Sequence, residues 1–275
     1  MSYAVLMVFV ELDGTPKPRV RVAASLADKF GATLIGLSAC AISIPIPAHG
    51  MVMQAPTATA MDINLMEGRL AKQGDWFRSI ADGDRRKVEW RSALYFPNEV
   101  IASEARSADL VVIGQIKGLR STYSALDLGA AILNMGRPTL VVPEGVTSLA
   151  AEHVVVGWKD TREARRAVRD ALPFLREATR VTIFEACGPE EEKTALARLH
   201  DVARYLALHR IESGPLVMVQ KQGSGASQLL QVAKDERADL LVMGAYGHSR
   251  LGEWVFGGMT RELLATSPIC CLMSH

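Results

Sequence analysis

The sequence predicts an α/β protein in which two doubly wound, parallel-sheet domains follow each other along one chain. Short, continuously apolar segments, typical of parallel strands buried on both faces, alternate with amphipathic segments of helical length. The chain also repeats itself, because ADLVVIG at 108–114 returns as ADLLVMG at 238–244, 130 residues later. We therefore expect both copies to share one topology, with right-handed crossovers between their parallel strands.

The repeat has two spacings, and their difference locates an insertion. Pro138 and Pro268 keep the spacing of 130 residues, whereas Asp13 and Asp160, near the front of each copy, lie 147 residues apart. The first copy must then hold about 17 extra residues. The proline-rich segment at about 41–57 has no helical or strand period, so we expect it to form an ordered loop. The predicted domains are residues 1–146 and 151–275.

Each copy is expected to contain five strands and four helices in alternation. The first copy has predicted strands at Tyr3–Val10, Thr33–Ala39, Lys87–Leu94, Asp109–Gly114 and Thr139–Val142, and predicted helices at Val20–Phe30, Met61–Ala81, Asn98–Ser107 and Leu126–Met135. The second has predicted strands at His153–Trp158, Arg180–Ala186, Leu216–Gln220, Asp239–Met243 and Ile269–Met273, and predicted helices at Arg162–Leu175, Glu191–His209, Ala226–Arg237 and Met259–Thr266. The helices are assigned from apolar stripes, such as Ala195, Leu199, Val202 and Leu206, that would cover the sheet.

The composition excludes several classes of function. A formal net charge of +1 argues against nucleic-acid binding and against a polybasic membrane tether, since both need a basic excess. The N-terminal apolar run stops at Glu11 and Asp13, too early for a signal peptide or a membrane span. These features are typical of a cytoplasmic globular protein.

Metal and catalytic motifs are not found in the sequence. None of the cysteines, Cys40, Cys187, Cys270 and Cys271, belongs to a C-x-x-C pair, so we expect buried thiols rather than disulfides or a zinc site. The six histidines have no metal-ligand spacing. A G-x-S-x-G elbow, a Walker lysine and a paired-carboxylate helix are also missing, so the protein is not expected to be an enzyme.

One segment offers a ligand site, GAYGHSRLGEWVFGGMTREL at 244–263. Two of its glycines follow the predicted fourth strand of the second copy, and two precede its last helix. Glycine lets the backbone approach a ligand closely, and the free N–H groups at a helix start favour phosphate. The candidate binding residues are Gly244, Gly247, His248, Gly257, Gly258, Met259 and Thr260. The alternative is that these glycines only shape the turns of an ordinary loop.

This arrangement, G-x2-G-x9-G followed by a small residue, resembles the ATP-binding signature of the universal stress protein family. The stretches VVVGWKDTREARRAVRDALPFL and SPICCLMSH are also similar to members of that family, and with the repeat the resemblance covers nearly the whole chain. It implies a five-stranded, Rossmann-like parallel fold in each copy and a dimer contact through the last strand. It also implies a non-catalytic stress-response protein that binds ATP or a related nucleotide in its C-terminal domain.

The chain departs from the family pattern at several positions. The family has Ser or Thr where this chain has Gly258, and often an Asp where it has Lys159, which is followed by Asp160. In the first copy Gly114 matches Gly244, but the other three motif positions hold Lys117, Asp127 and Leu128. We therefore expect weakened phosphate binding in the second copy and no nucleotide binding of the family type in the first.

Two other functions stay open from the sequence. The chain could be a weak nucleotide hydrolase, or an interaction scaffold whose pockets are vestigial or hold an apolar ligand under the proline-rich loop. Since single-domain relatives pair through their last strands, Leu140–Val142 and Cys270–Met273 are expected to pair within the chain as a pseudo-dimer. A further homodimer of two chains is left open.

Overall fold

The computed structural model of the 275-residue chain describes residues 2–13, 16–42, 59–83, 86–115, 123–219, 224–247 and 258–275. The strands are β1 Val5–Phe9, β2 Thr33–Ala39, β3 Val88–Ala93, β4 Leu110–Gly114, β5 Thr139–Val142, β6 His153–Gly157, β7 Arg180–Cys187, β8 Gly214–Val219, β9 Leu240–Gly244 and β10 Cys270–Ser274. The helices are α1 Lys17–Phe30, α2 Ala60–Ala81, α3 Pro97–Glu104, α4 Leu128–Met135, α5 Arg162–Asp170, α6 Leu172–Leu175, α7 Glu192–Leu208, α8 Gly225–Asp235 and α9 Gly258–Thr266. Short 3-10 turns lie at Ala105–Ser107 and Pro189–Glu191.

All ten of these strands form one continuous sheet in the order β3-β2-β1-β4-β5-β10-β9-β6-β7-β8. Strands β1–β5, which we call the N-terminal half, are parallel to one another, and so are β6–β10, the C-terminal half. The two halves meet where β5 and β10 pair antiparallel, with Val141 opposite Cys271 and Leu140 opposite Leu272. The predicted doubly wound α/β class and the predicted pairing of the last strands are therefore confirmed.

The helices cover both faces of this sheet and create two hydrophobic cores. One core lies under α1, α2, α5, α6 and α7, and the other under α3, α4, α8 and α9. On the first face an aromatic cluster joins the two halves, because Phe30 packs edge to face on Phe174, with ring centroids 5.2 Å apart. Tyr3 packs beside both rings, and its hydroxyl donates a hydrogen bond to the Asp170 carbonyl oxygen at 2.6 Å.

Some predicted elements differ from the structure in ways that have a local cause. The helix predicted at 162–175 is divided at Ala171, because Pro173 has no backbone N–H with which to continue the helical hydrogen bonds. Helix α4 begins at Leu128 rather than 126, because Asp127 caps it by accepting a hydrogen bond from the Ala130 N–H at 3.0 Å. Most of the predicted insertion at 41–57 lies outside the described residues.

Among helices in the described ranges, none combines the length and apolar character required to cross a lipid bilayer. The four cysteines are buried free thiols, and burial raises the pKa of Cys270 and of Cys271 to about 12. Within the same ranges no three His, Cys, Asp or Glu side chains are grouped to hold a metal ion.

Candidate functional site

The candidate site lies at the carboxyl edge of the C-terminal half, where β6 and β9 are neighbours. The chain passes from β6 to β7 on one side and reaches β9 on the other, so this is the point at which the strand order reverses. Ligands of open α/β sheets bind at such a switch point. Of the residues predicted to bind, the structure brings Gly244, Gly247 and Gly258 to this edge, at the end of β9 and the start of α9.

Gly244 ends β9 beneath the first turn of α5. A Cβ at this position would lie 2.6 Å from the Ala164 nitrogen and 2.7 Å from the Glu163 carbonyl carbon, far inside van der Waals contact. Backbone atoms of a packed helix cannot move aside as a flexible side chain can. Glycine is therefore required here for α5 to approach the sheet, whether or not a ligand is present.

Gly258 has a different environment from Gly244. It is the first residue of α9, it is exposed, and a Cβ there would meet no described atom within 4 Å. The first N–H groups of a helix have no partner within the helix and lie at the positive end of its dipole. Among the described residues, none therefore crowds Gly258 at this helix start, where the sequence predicts phosphate binding.

Thr260 and Met259 occupy the first turn of α9. The Thr260 side chain is buried, and its hydroxyl oxygen accepts a hydrogen bond from the Tyr246 N–H at 3.3 Å, which joins the residues directly after β9 to the helix. Met259 lies against the start of α8, with its sulfur 3.5 Å from the position of a Cβ on Gly225. The predicted site residues His248 and Gly257 lie outside the described residues.

A buried carboxylate lies beneath the glycines, which the sequence did not predict. Glu163 is 1% exposed, and its Oε1 accepts a hydrogen bond from Arg162 Nε at 2.5 Å. A Cβ on Gly247 would lie 3.3 Å from Glu163 Oε2. Burial raises the pKa of this carboxyl, but the hydrogen bonds from Arg162 and from its own backbone outweigh burial and leave the pKa below its usual value.

Glu163 therefore carries a negative charge at neutral pH, next to the place predicted for phosphate. A phosphate at this edge would have to gain enough from backbone N–H groups at the start of α9 to offset that charge. The exposed Lys159 lies at the end of β6, and the neighbouring Asp160 pairs with Arg165 at 2.5 Å. Lys159 is thus a basic side chain of this edge that can turn toward an anion without leaving solvent.

The corresponding edge of the N-terminal half is filled by a buried ion pair. Arg19 donates from Nη1 to Glu11 Oε1 at 2.7 Å, and Arg19 Nη2 lies 2.5 Å from Glu11 Oε2. The two residues are 7% and 1% exposed. The guanidinium packs directly on Gly114, the counterpart of Gly244, so that a Cβ on Gly114 would overlap it. The first half thus places a guanidinium against its strand-end glycine, where the second half places the backbone of α5.

Comparison with known proteins agrees with this architecture. Residues 150–275 match the model of the universal stress protein family. No curated protein matches the sequence significantly. Among solved structures, the chain is similar to a universal stress protein from Archaeoglobus fulgidus DSM 4304, with a TM-score of 0.73 and 13% identity over 98% of this chain and 95% of that one. A functionally unknown protein from Pseudomonas aeruginosa PAO1 gives a TM-score of 0.57 and 12% identity over 99% and 92%.

The family model matches residues 150–275, whereas the similarity to the Archaeoglobus fulgidus structure covers 98% of the chain. The C-terminal region carries a universal stress protein domain, and the whole chain shares its fold with a solved universal stress protein.

Proposed function

We propose that this chain, with its universal stress protein domain at residues 150–275, is a non-catalytic stress-response protein that binds ATP or a related nucleotide in its C-terminal half. The observation that carries the proposal is the meeting of Gly244, Gly247 and the open start of α9 at the switch point between β6 and β9. Anions bind well at such helix starts, and nucleotides bind at such switch points.

Binding without turnover is favoured by the charges at this edge. The Glu163 carboxylate accepts a hydrogen bond from Arg162, and its pKa lies below its usual value. A carboxylate of lowered pKa is a poor general base for activating water at neutral pH. Release of phosphate from ATP above that of heat-inactivated protein would favour the alternative, a weak nucleotide hydrolase.

The first half is proposed not to bind nucleotide, since the Arg19–Glu11 pair fills the matching edge. We infer a cytoplasmic location, in keeping with four buried thiols, which cell fractionation would test. The pairing of β5 with β10 already uses both last strands, so a homodimer of two chains would have to form through another surface.

The proposal is tested by the thermal stability of the full chain in millimolar ATP. A bound ligand stabilises the folded state by about 2.7 kcal/mol at a concentration one hundred times its Kd, so the melting temperature should rise by several degrees. The variant Gly258→Asp adds a negative charge at the start of α9, where a Cβ meets no described atom within 4 Å. We expect it to keep the melting temperature of the free protein and to lose the shift caused by ATP.

Two further variants complete this experiment. Gly68→Asp, on the exposed surface of α2, adds the same charge far from the site and should keep the ATP shift. Gly258→Ser supplies the hydroxyl that the family has at this position and should tighten ATP binding about fivefold, the typical effect of one added hydrogen bond. The proposal fails if the natural sequence shows no shift, or if Gly258→Asp shifts as much as Gly68→Asp.

A further inference from the structure

One oxygen of the buried Glu163 carboxylate has no hydrogen-bond partner in the part of the chain that the structure describes. Glu163 is 1% exposed, and its Oε1 accepts the hydrogen bond from Arg162 Nε, whereas its buried Oε2 accepts none. The Thr161 hydroxyl helps to lower the pKa of this carboxyl, but it caps α5 through the Ala164 N–H and makes no hydrogen bond with Oε2. Buried polar atoms of folded proteins nearly always have a partner, so we expect a ligand to supply the one for Oε2.

This oxygen lies at the candidate site, close to the start of α9. A Cβ on the exposed Gly247 would be only 3.3 Å from Oε2, so the oxygen lies just beneath the surface and a side chain at residue 247 would cover it. The preceding residue, Tyr246, donates its N–H to the Thr260 hydroxyl oxygen in the first turn of α9, at 3.3 Å. Gly247 and the start of α9 are therefore neighbours. A phosphate at that helix start would place the adjoining group of its ligand near Oε2.

The charge of the carboxylate limits which groups can bind to it. The lowered pKa keeps Glu163 ionised at neutral pH, so that Oε2 repels a phosphate oxygen and attracts a hydrogen-bond donor. A metal ion of the Mg²⁺ or Ca²⁺ type needs several oxygen ligands, and among the described residues no three His, Cys, Asp or Glu side chains are grouped to hold one. In a nucleotide the donors nearest the phosphate are the ribose hydroxyls, which carboxylates bind in dinucleotide-binding sheets.

We propose that Glu163 determines specificity at the proposed nucleotide site by accepting, through Oε2, a hydrogen bond from a ribose hydroxyl. The phosphate lies at the start of α9 and the sugar lies beside Gly247, so that each part of the ligand meets a group of suitable charge. The site therefore selects ribonucleotides over analogues that lack these hydroxyls. This inference rests on the proposed nucleotide function and names the part of the ligand that Glu163 contacts.

Isothermal titration calorimetry of the full chain with ATP and with 2′,3′-dideoxyATP tests the proposal, because the two ligands differ only in the ribose hydroxyls. We expect the natural sequence to bind ATP about tenfold more tightly, the effect of one hydrogen bond to a charged group. Equal affinities would overturn this inference and leave the nucleotide function standing. No binding of ATP at millimolar concentration would overturn both.

Two variants locate the preference at Oε2. Glu163→Gln keeps the size of the side chain but removes its charge, so the preference for ATP should fall to about threefold or less. Gly247→Ala places a methyl group over the oxygen and should also reduce the preference. Glu185→Gln is the matched control, since Glu185 is another buried carboxylate of the C-terminal half that pairs with an arginine, Arg198. This control should keep the full preference for ATP.

Two results with these variants would overturn the proposal. An undiminished preference for ATP in Glu163→Gln would show that the ribose is bound elsewhere. An equal loss of preference in Glu185→Gln would show a general effect of removing a buried charge rather than a contact with Oε2. Circular dichroism and the melting temperature of each variant confirm that it is folded before its titration is compared.

Discussion

The carboxyl edges of the two halves share a topology but are closed by different groups. At the end of β4, Gly114 contacts the Arg19 guanidinium, which is paired with Glu11 inside the protein. At the end of β9, Gly244 contacts the backbone of α5, and the Glu163 carboxylate is paired with Arg162, whose side chain is 59% exposed. The first edge is closed by a side chain, whereas the second is shaped by the backbone of α5, and no described atom lies within 4 Å of a Cβ on Gly258 at the start of α9.

This difference shows that a glycine kept at the same place in a repeat can have two causes. Gly114 and Gly244 correspond by the 130-residue spacing, and neither has room for a Cβ. Yet the obstacle is a movable guanidinium in one half and fixed main chain in the other. A shared glycine is therefore poor evidence that both edges bind the same ligand.

The largest expected effect comes from breaking the buried pair. Arg19→Met leaves Glu11 charged and unpaired in the core and should lower the free energy of unfolding by about 3–5 kcal/mol. Arg69→Met, which breaks the exposed pair with Asp13, is the control and should cost less than about 1 kcal/mol. Urea unfolding measures both, and similar values for the two variants would show that the first edge is not held by its ion pair.

Alanine at the two strand ends should give the next largest effects. Gly244→Ala forces backbone atoms apart and should cost about 3 kcal/mol, whereas Gly114→Ala displaces only a guanidinium and should cost about 1–2 kcal/mol. Gly214→Ala, where a Cβ meets nothing within 4 Å, is the control and should be nearly neutral. If urea unfolding shows Gly114→Ala to be the more damaging change, the contrast between side chain and backbone is wrong.

The smallest effect concerns the charge of Glu163 and depends on pH. Its pKa in the folded protein lies below the usual value of 4.5, so the ionised form stabilises the fold above that value, and this contribution is lost as the pH falls through the lowered folded pKa. Glu163→Gln should therefore cost about 1 kcal/mol at pH 7 and progressively less below pH 4.5. Calorimetric melting from pH 7 to pH 3 measures this, and a difference that grows in acid would contradict it.

Much of the fold was predictable because strands buried on both faces leave continuous apolar runs. The order of strands and helices follows from such runs and from the repeat. The pairing of Leu140–Val142 with Cys270–Met273 was instead what the family resemblance implied. The division of the helix after Ala171 was missed, although Pro173 was the available signal. It was missed because Pro173 lies near the end of the predicted helix, where the apolar pattern continues past it, so the pattern alone did not mark the break.

The candidate site was predicted only in part. The glycines lie at the predicted edge, since their positions depend on strand and helix ends. The burial of Glu11, Arg19 and Glu163 was missed, because charged residues are usually exposed and become buried only when the fold supplies a partner. One signal was available, since Glu11 directly follows an apolar strand. That any of the predicted residues binds a ligand stays a prediction, and His248 and Gly257 also lie outside the described residues.

The antiparallel contact of β5 with β10 also has a consequence for aggregation. Neither strand carries a charged residue or a proline, which proteins use to keep an open sheet edge from recruiting other chains. By contrast, the outer strand β3 carries Glu89 and Arg91 on its open edge. If the two halves were separated, the free edges of β5 and β10 would both be exposed to other chains. Linking the halves in one chain keeps these two edges at a high local concentration relative to each other, so they pair with one another rather than with other molecules.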